Sequence, residues 1–473
     1  MDTKAMPIAA QTESNHAGIV IKDPRTGDFL WSVPEPEPAE VAHAVKVARK
    51  AAGGWAAVPT AERGSRLHAA ARALDAAKAV LAGLNASETG RPESEALAGI
   101  DAGVSTLIQY AEVGPVHRGR SLNGNRFASD YTLAEPRGVA VLLTPWNDPV
   151  AVACGLIGAA LVTGNTVIHK PSERCPRLGE ALGEVLAPAF PPGVLNTLSG
   201  GAGVGKLLTQ AGVDVIAHVG SSAAGARIAE AGLRSGAHVI RENGGNDPLL
   251  VDRDVDPLWA AEQAAIGAFS NSGQICTSVE RIYVHADIAR PFCVALEAEA
   301  ALRNSKGSVA PLVDTRMRDE VQAHVAQARE LGAHAVEGGS VPEGPGSFYP
   351  ATVLLDCTDT MQVMTEETFG PVAPVQVVAS FEEGLRQAAS GKYGLAATVL
   401  TGNIAHAQQA IATLPVGTVK INAVFGGAPG GSAQPRGVSG HGFGYGPELL
   451  DEFSRVKVVH LAAPPQQAAA GAS

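Results

Sequence analysis

Three side chains, far apart in the chain, have types and settings that suit chemistry on a carbonyl group. Cys276 lies in "NSGQICTSVERIYV" (residues 271–284), between a glycine-rich approach and an apolar, β-branched exit. Glu242 ends a buried run in "VIRENGGNDP", and Asn147 follows another such run in "TPWNDP". A thiolate attacks carbonyl carbon, a carboxylate with a raised pKa accepts a proton, and a side-chain amide donates to an oxyanion. Together the three residues predict nucleophilic catalysis at a carbonyl.

Each of these residues also has a simpler interpretation. A single cysteine beside Ile275 is more often a small packing residue than a nucleophile. Glu242 is as well suited to a solvated turn, because two glycines follow it. Asn147 precedes a predicted helix, where asparagine commonly caps the helix N-terminus. The local sequence of each residue, taken alone, leaves both interpretations open.

Composition restricts the class of protein. The chain has 473 residues, of which 45% are hydrophobic and 18% charged, and its formal net charge is −11. That charge argues against a nucleic-acid partner, which needs a basic surface. The N-terminus lacks the apolar core of a secretory signal, and the apolar run at 149–164 is too short to cross a bilayer. Five scattered cysteines are unlike a disulfide framework, so we expect a cytoplasmic protein that acts on a small molecule, without nucleic-acid or membrane partners.

From about residue 137, apolar runs alternate with helical segments. Strands are predicted at "GVAVLLTP", "NTVIHKP", "GVLNTLSG", "DVIAHVG" and "AHVIRE", separated by helices at 149–163, 177–188, 203–210 and 222–234. This order predicts an α/β protein with a doubly wound parallel sheet, which binds ligands at the carboxyl ends of its strands. A second alternating pattern after "NGGNDPLLV" predicts a further α/β domain. The segments 125–136 and 454–461 alternate as edge strands do, and they either pair with another subunit or form a surface hairpin.

Six motifs in a fixed order carry a resemblance to a known family. They are "TPWNDP", "GNTVIHKPSE", "VGSSAAG", "ENGG", "GQIC" and "EETFGPV". On these motifs, and on the spacing 276 − 242 = 34 residues from Glu242 to Cys276, nearly the whole chain resembles the NAD(P)-dependent aldehyde dehydrogenase superfamily. The resemblance implies an aldehyde dehydrogenase-like fold with a Rossmann-type cofactor domain (1–117 and 137–242), an α/β catalytic domain (243–436) and a small β oligomerisation flap (118–136 and 450–473). It also implies a homodimer or homotetramer.

The resemblance assigns roles that the chemistry supports. Cys276 attacks the aldehyde, the Asn147 amide and the Cys276 N–H hold the oxyanion of the thiohemiacetal, and hydride passes to nicotinamide. Glu242 then activates the water that hydrolyses the thioester to a carboxylic acid. The residues that the resemblance assigns to the cofactor are Trp146, Lys170, Ser172, Glu173, Gly220, Ser221, Glu367 and Phe369. The Glu173 carboxylate suits ribose hydroxyls and favours NAD, while the neighbouring Arg174 keeps NADP as an alternative.

Two other patterns are not assigned to ligands. "GGAGVG" (200–205) is close to the dinucleotide fingerprint, but the resemblance places the phosphate at the later "GSSAAG" turn. We therefore interpret 200–205 as a strand-to-helix connection. The thirteen histidines show no clustering that is typical of metal ligands, so no catalytic metal is predicted.

The sequence departs from the family pattern at positions that bear on substrate. Asp148 stands where an aromatic residue is usual, Arg436 where a hydrophobic residue often lines the aldehyde tunnel, and Gly155 where many relatives carry a bulky residue. These changes favour a polar or carboxylate-bearing aldehyde, with Arg436 as a candidate anchor. Alternatively, Asp148 and Arg436 pair with each other or face solvent. Arg241, beside Glu242, would lower the pKa of that carboxylate if it pointed towards it, but strand alternation should send it to the opposite side.

Two further functions compete with this one. A CoA-acylating semialdehyde dehydrogenase would pass the thioester to CoA, and acylating relatives often lack the carboxylate that Glu242 supplies. A non-catalytic, structural cofactor-binding protein would not need nucleophile, base and amide together. The presence of all three residues favours hydrolytic aldehyde oxidation.

Overall fold

The structure is a computed structural model, and it describes residues 18–126, 128–426 and 432–463. The outer ends of the predicted cofactor segment (1–117) and flap segment (450–473) therefore lie outside the described residues. How the chain divides into independent domains stays a prediction, and the sheets are described below as they pair.

The described part of the chain begins with a small hairpin and three helices. The hairpin consists of β1 (Ile19–Lys22) and β2 (Phe29–Val33), and the helices are α1 (Pro38–Ala56), α2 (Thr60–Thr89) and α3 (Glu93–Val113). In α2, Leu67, Leu74 and Leu81 recur every seven residues and are fully buried, so they form one apolar stripe. The helix ends at Gly90, whose φ of 75° is the left-handed conformation that favours glycine at a helix C-terminus.

A six-stranded sheet follows, as the alternating pattern predicts. After β3 (Ser121–Leu122) and β4 (Ala128–Pro136), its main elements are β5 (Val139–Leu143), α4 (Pro149–Val162), β6 (Thr166–Lys170), α5 (Pro176–Leu186), β7 (Leu195–Thr197), α6 (Ala202–Thr209), β8 (Val215–Gly220), α7 (Ser222–Ser235) and β9 (His238–Asn243). Strands β5 to β9 are parallel. The segment 200–205 leads into and begins α6, in agreement with its interpretation as a connection.

The second alternating pattern forms a seven-stranded sheet. Its segment contains β10 (Asp247–Val251), α8 (Pro257–Phe269), β11 (Val279–His285), α9 (Ala286–Ser305), α10 (Thr315–Glu330), β12 (His334–Glu337), β13 (Thr352–Leu355), α11 (Gln362–Thr365), β14 (Val372–Val378), α12 (Phe381–Ala388), β15 (Tyr393–Gly394), β16 (Ala396–Leu400), α13 (Ile404–Thr413) and β17 (Thr418–Ile421). The strand order is β12-β13-β14-β11-β10-β16-β17, with only β12 antiparallel to its neighbour among these described strands.

The last elements return to the earlier parts of the fold. They are β18 (Arg436–Gly437), β19 (Gly440–His441), α14 (Leu449–Glu452) and β20 (Ser454–Ala462). Strand β19 pairs with the end of β9, so the first sheet has the order β19-β9-β8-β5-β6-β7. Strand β20 pairs along its whole length with β4, which places the two strand-like segments of the sequence in one three-stranded sheet, β20-β4-β3.

Alternate residues of the six-stranded sheet face two different cores. Ala140 and Leu142 of β5 pack among side chains of α2 to α5, whereas Val141 and Leu143 pack on the other face with side chains of α1 and α6. This two-sided burial explains why β5 reads as a continuous apolar run. The large Trp55 of α1 is almost fully buried at the helical layer, and its indole N–H donates to Leu161 O at 3.0 Å.

Candidate active site

The order of the six-stranded sheet creates a crevice at its carboxyl edge. From β5 the chain proceeds to β6 and β7 on one side, and then crosses to β8 and β9 on the other. In open α/β sheets, ligands bind where the strand order reverses in this way. The segment Trp146–Asn147 follows β5 and the turn Gly220–Ser221 lies at the end of β8, so residues predicted for catalysis and for cofactor binding flank the same crevice.

The loop before Cys276 is held in an unusual backbone conformation. Asn271 and Ser272 have φ values of 47° and 55°, and Gly273 follows at 72°. Two non-glycine residues in the left-handed region cost free energy, and such conformations persist where the surroundings impose them, often at functional sites. Here the surroundings include the "TFGPV" segment, because a Cβ on Gly273 would lie 2.1 Å from Gly370 O. The cysteine loop and that segment are therefore in direct contact.

Asn147 is tied to the cysteine loop by a hydrogen bond. Its side-chain nitrogen donates to Gln274 O at 3.1 Å, two residues before Cys276, and Asn271 Nδ2 donates to the same oxygen at 3.2 Å. On the other side, Arg91 Nη1 donates to Asn147 O at 3.0 Å. Because an amide group has two N–H donors, one donor of Asn147 remains for a further acceptor.

Glu242 stands at the end of β9 without a charged partner among the described residues. Its carboxylate lies against Gly444 in "HGFGYG", where a Cβ would come within 1.8 Å of Oε2. Burial raises the pKa of Glu242 above the usual value for glutamate. A carboxylate whose pKa is raised is a stronger base than an exposed one, which suits proton abstraction.

Electrostatics keep the Cys276 thiol protonated in the resting site. The side chain is partly exposed. Burial raises the thiol pKa most, and the negative charges of Glu242, Asp247, Glu367 and Asp148 raise it further, in that order. A thiol in this setting does not ionise unaided, so its reactivity depends on a base that takes the proton. Glu242 is the largest charged contributor, and transfer of the proton to it would avoid a thiolate beside a charged Glu242.

The predicted adenosine residues lie at the end of β6 and just after it. Lys170 Nζ is buried and donates to Pro171 O at 2.7 Å and to Gly200 O at 2.6 Å, with Glu173 3.9 Å away. Glu173 is about half exposed at 46%, and Ser172 is buried. Arg174 is not free, because its Nε donates to Asp314 at 2.7 Å and its guanidinium lies 5.6 Å from the centre of the Trp146 ring.

The predicted nicotinamide residues meet near the cysteine loop. Trp146 and Phe369 form an edge-to-face pair with ring centres 5.7 Å apart. The Glu367 carboxylate lies against Gly244, where a Cβ would come within 1.7 Å of Oε1.

At the β8 turn, Ser221 caps α7 by accepting a hydrogen bond from Ala224 N at 3.4 Å. The structure thus gathers the motifs around one crevice, although it does not join Lys170 and Glu173 directly to the cysteine loop.

One supporting residue escaped the sequence interpretation. Glu280, buried in β11, accepts hydrogen bonds from the backbone of Thr368 and Phe369, each at 2.9 Å, and from Asn246 Nδ2 at 3.2 Å. It therefore fixes the segment that carries Glu367. Burial raises its pKa to about 7, against the opposing effect of these hydrogen bonds. The signal available in the sequence is the charged pair Glu280 and Arg281 inside the strand-like run "VERIYV".

Asp148 does not pair with Arg436. It accepts a hydrogen bond from Arg91 Nη1 at 3.0 Å, because α3 packs across the start of α4 and brings Arg91 to it. Arg436 lies exposed on β18, where its backbone pairs with Gly394. The alternative that joined the two residues is therefore wrong. Any contact of either side chain with substrate stays a prediction.

The two neighbours of Glu242 in β9, and Gly155 in α4, also have a defined structural setting. Strand alternation places Arg241 and Asn243 on the opposite side of β9 from Glu242. Asn243 packs against Gly225 of α7, and its side-chain nitrogen donates to Val438 O at 2.9 Å. Asn243 thereby joins β9 to the C-terminal segment. At Gly155 in α4, a Cβ would meet only Thr106 Cγ2 within 4 Å, at 3.9 Å, so the helix leaves room there.

The described residues contain neither a candidate metal site nor a candidate membrane span. No group of three or more histidine, cysteine, aspartate or glutamate side chains in the described part of the chain is arranged to hold a metal ion. Among the same residues, none of the helices combines the length and apolar character that a bilayer crossing requires.

Gly244→Ala is expected to damage cofactor use without unfolding the protein. The added methyl group would overlap the Glu367 carboxylate, which must then move. We expect the KM for NAD+ to rise by about tenfold, equivalent to about 1.4 kcal/mol. Steady-state kinetics with NAD+ as the varied substrate would measure the change. Gly83→Ala is the matched control, since nothing lies within 4 Å of a Cβ there and alanine is favoured within a helix. Equal KM values for the two variants would contradict the predicted role of this contact.

The candidate site belongs to an α/β fold whose parallel sheet ends in a crevice beside the cysteine loop. The model of the aldehyde dehydrogenase family matches residues 11–459 of the chain. Betaine aldehyde dehydrogenase of Cereibacter sphaeroides is 33% identical over 470 residues, covering 96% of this chain and 95% of that relative. Human retinaldehyde dehydrogenase 3 is 32% identical, covering 93% and 88%. The structure of Staphylococcus aureus betaine aldehyde dehydrogenase in complex with NAD+ is similar with a TM-score of 0.91 at 27% identity, covering 96% and 93%.

The chain belongs to the aldehyde dehydrogenase family. It is an NAD(P)-dependent enzyme that oxidises an aldehyde to a carboxylic acid, as the sequence motifs predict. The family resemblance and the predicted α/β fold are thereby confirmed.

Proposed function

We propose that Cys276, Glu242 and Asn147 carry out this oxidation as nucleophile, general base and oxyanion donor. The observation that carries the proposal is the meeting of the three residues at the crevice: Asn147 is bonded to Gln274 in the cysteine loop, and Glu242 is the charged group with the largest effect on the thiol. The free N–H of Asn147 and the Cys276 backbone N–H would stabilise the thiohemiacetal oxyanion.

Proton movement follows from the charges around the thiol. Glu242 accepts the thiol proton as the sulfur attacks the aldehyde, which avoids two adjacent negative charges. Once hydride has left the thiohemiacetal carbon, Glu242 releases the thiol proton to solvent, and the regenerated carboxylate activates the water that hydrolyses the thioester. Bound NAD(P)+ supplies the hydride acceptor. Trp146, Glu367 and Phe369 would hold its nicotinamide end beside Cys276.

NAD is the proposed preferred cofactor. Glu173 remains partly exposed beside Lys170 and would accept hydrogen bonds from the ribose hydroxyls while repelling a 2′-phosphate. Arg174, which could have favoured NADP, is already engaged by Asp314 and Trp146. NADP would have to displace one of these contacts to use that guanidinium.

A polar or carboxylate-bearing aldehyde is the proposed substrate, with Arg436 as its anchor. Asp148 is occupied by Arg91, and Arg436 makes no ion pair among the described residues. An exposed guanidinium without a carboxylate partner suits bidentate binding of an acidic substrate. The free space at Gly155 would admit a wider substrate than a bulky side chain allows there.

An absorbance screen of NADH and NADPH formation would test these proposals. Wild-type protein is offered aliphatic, aromatic, amino and carboxylated aldehydes, and the product is identified as free acid or acyl-CoA. We expect free acid, faster reduction of NAD+ than of NADP+, and a preference for the acidic aldehydes. Arg436→Ala should lower kcat/KM for acidic aldehydes by about tenfold and spare neutral ones, since a charge-assisted pair is lost.

Arg290→Ala supplies the control, because Arg290 is exposed on α9 and its loss removes the same charge. Equal activity of wild type and Arg436→Ala on acidic aldehydes would remove the anchor from the proposal. Acyl-CoA as the product would replace hydrolysis by CoA transfer.

We also propose that the protein is a cytoplasmic homo-oligomer that assembles through the β20-β4-β3 sheet. Strand β20 is an edge strand of nine residues, and Val456 and Val458 are 72% and 67% exposed on the same face. Exposed apolar edge strands are normally covered, because they otherwise promote aggregation. All five cysteines are unpaired, which favours a reducing compartment.

A further inference from the structure

Three basic side chains form a row across the carboxyl edge of the six-stranded sheet. In the strand register, Lys170 of β6 is the partner of Leu143 in β5, Leu143 is the partner of His218 in β8, and His218 is the partner of Arg241 in β9. Directly paired residues of neighbouring strands point to the same face of a sheet. Lys170, His218 and Arg241 therefore share one face.

That face is the one covered by α6 and α7. Leu143 packs in the core that contains α6 side chains. A Cβ on Gly205 of α6 would lie 3.7 Å from Lys170 Cε, and Asn243, two residues beyond Arg241, contacts Gly225 of α7. The row thus faces the helix whose N-terminus follows the Gly220–Ser221 turn, and it is separated by the sheet from Glu242.

His218 occupies the middle of the row and lacks hydrogen bonds. It is 8% exposed, and a Cβ on Gly220 would lie 2.9 Å from its Cε1 atom, so the imidazole lies directly beneath the turn. Among the described residues neither ring nitrogen has a partner at hydrogen-bonding geometry, and Ser222 Oγ, at the first residue of α7, is also buried without one. Buried polar atoms without partners are destabilising, and two residues with such atoms on either side of the Gly220–Ser221 turn are consistent with a polar ligand that binds there.

The charge around His218 selects for an anion. Burial lowers the pKa of His218 most, an interaction with the Ser221 backbone opposes it, and the charges of Lys170 and Arg241 also lower it, so that together they bring this pKa to about 4. The ring is consequently neutral near pH 7 and can donate one hydrogen bond, while the two flanking cations supply positive potential. The N-terminus of the fourteen-residue α7 adds free backbone N–H groups and the positive end of its dipole.

We propose that His218 is a further cofactor-binding residue, whose ring donates a hydrogen bond to the pyrophosphate of NAD(P)+ between the α7 N-terminus and the charges of Lys170 and Arg241. The inference rests on the proposed function, which places the dinucleotide in this crevice. The pyrophosphate is favoured over a 2′-phosphate because the ring lies under the Gly220 turn, whereas the carboxylate of Glu173 stands beside Lys170.

Dinucleotide binding by full-length variants tests the proposal. Dissociation constants for NAD+ and NADP+ are measured by isothermal titration calorimetry. His218→Phe, which keeps an aromatic ring but removes the donor, should weaken both cofactors equally, by about tenfold. His218→Gln retains a donor and should stay within about threefold of wild type. Arg241→Gln should weaken binding by about threefold, whereas Arg234→Gln at the exposed far end of α7 should not.

Hydrolysis of p-nitrophenyl acetate separates this proposal from the proposed function. An activated ester can be cleaved by Cys276 and Glu242 without a dinucleotide, so the His218 variants should retain wild-type esterase rates. Unchanged affinity in His218→Phe, a loss confined to NADP+, or equal losses in the Phe and Gln variants would each overturn the pyrophosphate contact. Wild-type protein that binds neither dinucleotide would instead overturn the proposed cofactor crevice, and with it this inference.

Discussion

Cys276→Ser is expected to lower kcat/KM for aldehyde oxidation by at least about a thousandfold, equivalent to about 4 kcal/mol of transition-state stabilisation. Four carboxylates already raise the pKa of the thiol at this position, and a hydroxyl is far less acidic than a thiol. The serine oxygen would therefore not become an effective nucleophile beside Glu242. Binding of NAD+ should remain within about twofold of wild type, because the residues proposed to hold the cofactor are unchanged.

Stopped-flow absorbance of NADH in a single turnover measures the chemical step, and calorimetry measures cofactor binding. Cys293→Ser is the matched control, since Cys293 is a partly buried thiol on α9 that no step of the mechanism uses. Reduction of NAD+ by Cys276→Ser at the parent rate would refute the assignment of the nucleophile. Loss of NAD+ affinity together with activity would show instead that the loop had collapsed, and Cys276→Ala would then distinguish packing from chemistry by restoring binding without activity.

The sequence predicts the sheets and the location of the motifs well, because both depend on local pattern. The apolar run of β5 and the alternation of β9 follow from burial on two faces and from the two-residue period of strands. That period also predicts that Arg241 lies across the sheet from Glu242, and the contacts of Asn243 with α7 agree with it. Motifs that end parallel strands must lie at one edge, so their proximity follows from topology.

Contacts between distant segments could not be predicted in this way. The sequence allows Asp148 to pair with Arg436, yet Arg91 reaches Asp148 because α3 packs on α4, a long-range arrangement that no local pattern encodes. Glu280 is a charged residue in a buried strand, and its role becomes visible only in its hydrogen bonds to the backbone of Thr368 and Phe369. That the two ring nitrogens of His218 have no hydrogen-bond partner among the described residues likewise depends on how the sheet and the turn pack together.

The raised pKa of the Cys276 thiol is a further property that the local sequence does not predict. A cysteine nucleophile is expected to have either a depressed pKa or a nearby base, and the sequence does not distinguish the two. Burial and the charges brought together from four separate segments raise the pKa, so only the second route remains. The reaction then depends on Glu242 for the first proton transfer as well as for hydrolysis.

Glu242→Gln is expected to separate those two tasks. Glutamine keeps the size of the side chain but accepts no proton, so turnover should fall by about 10²-fold to 10⁴-fold. If Glu242 activates water for hydrolysis, the variant should still form up to one equivalent of NADH per site and then stall as the thioester. If Glu242 also accepts the thiol proton, this first formation of NADH should be slower than in wild type, while the amount of NADH formed per site should stay the same.

The pH profile gives an independent measure of the same group. Below its pKa, Glu242 is protonated and cannot act as a base, so wild-type kcat should be low in acid and rise as pH increases through the raised pKa. Glu242→Gln should lack this rise, whereas Glu262→Gln, an exposed carboxylate change on α8, should retain it. Full turnover by Glu242→Gln with the wild-type pH profile would mean that water is activated by another group. Of the neighbouring carboxylates, Asp247 would be the first to test, because its pKa is raised by burial to about 8 and its charge also acts on the thiol.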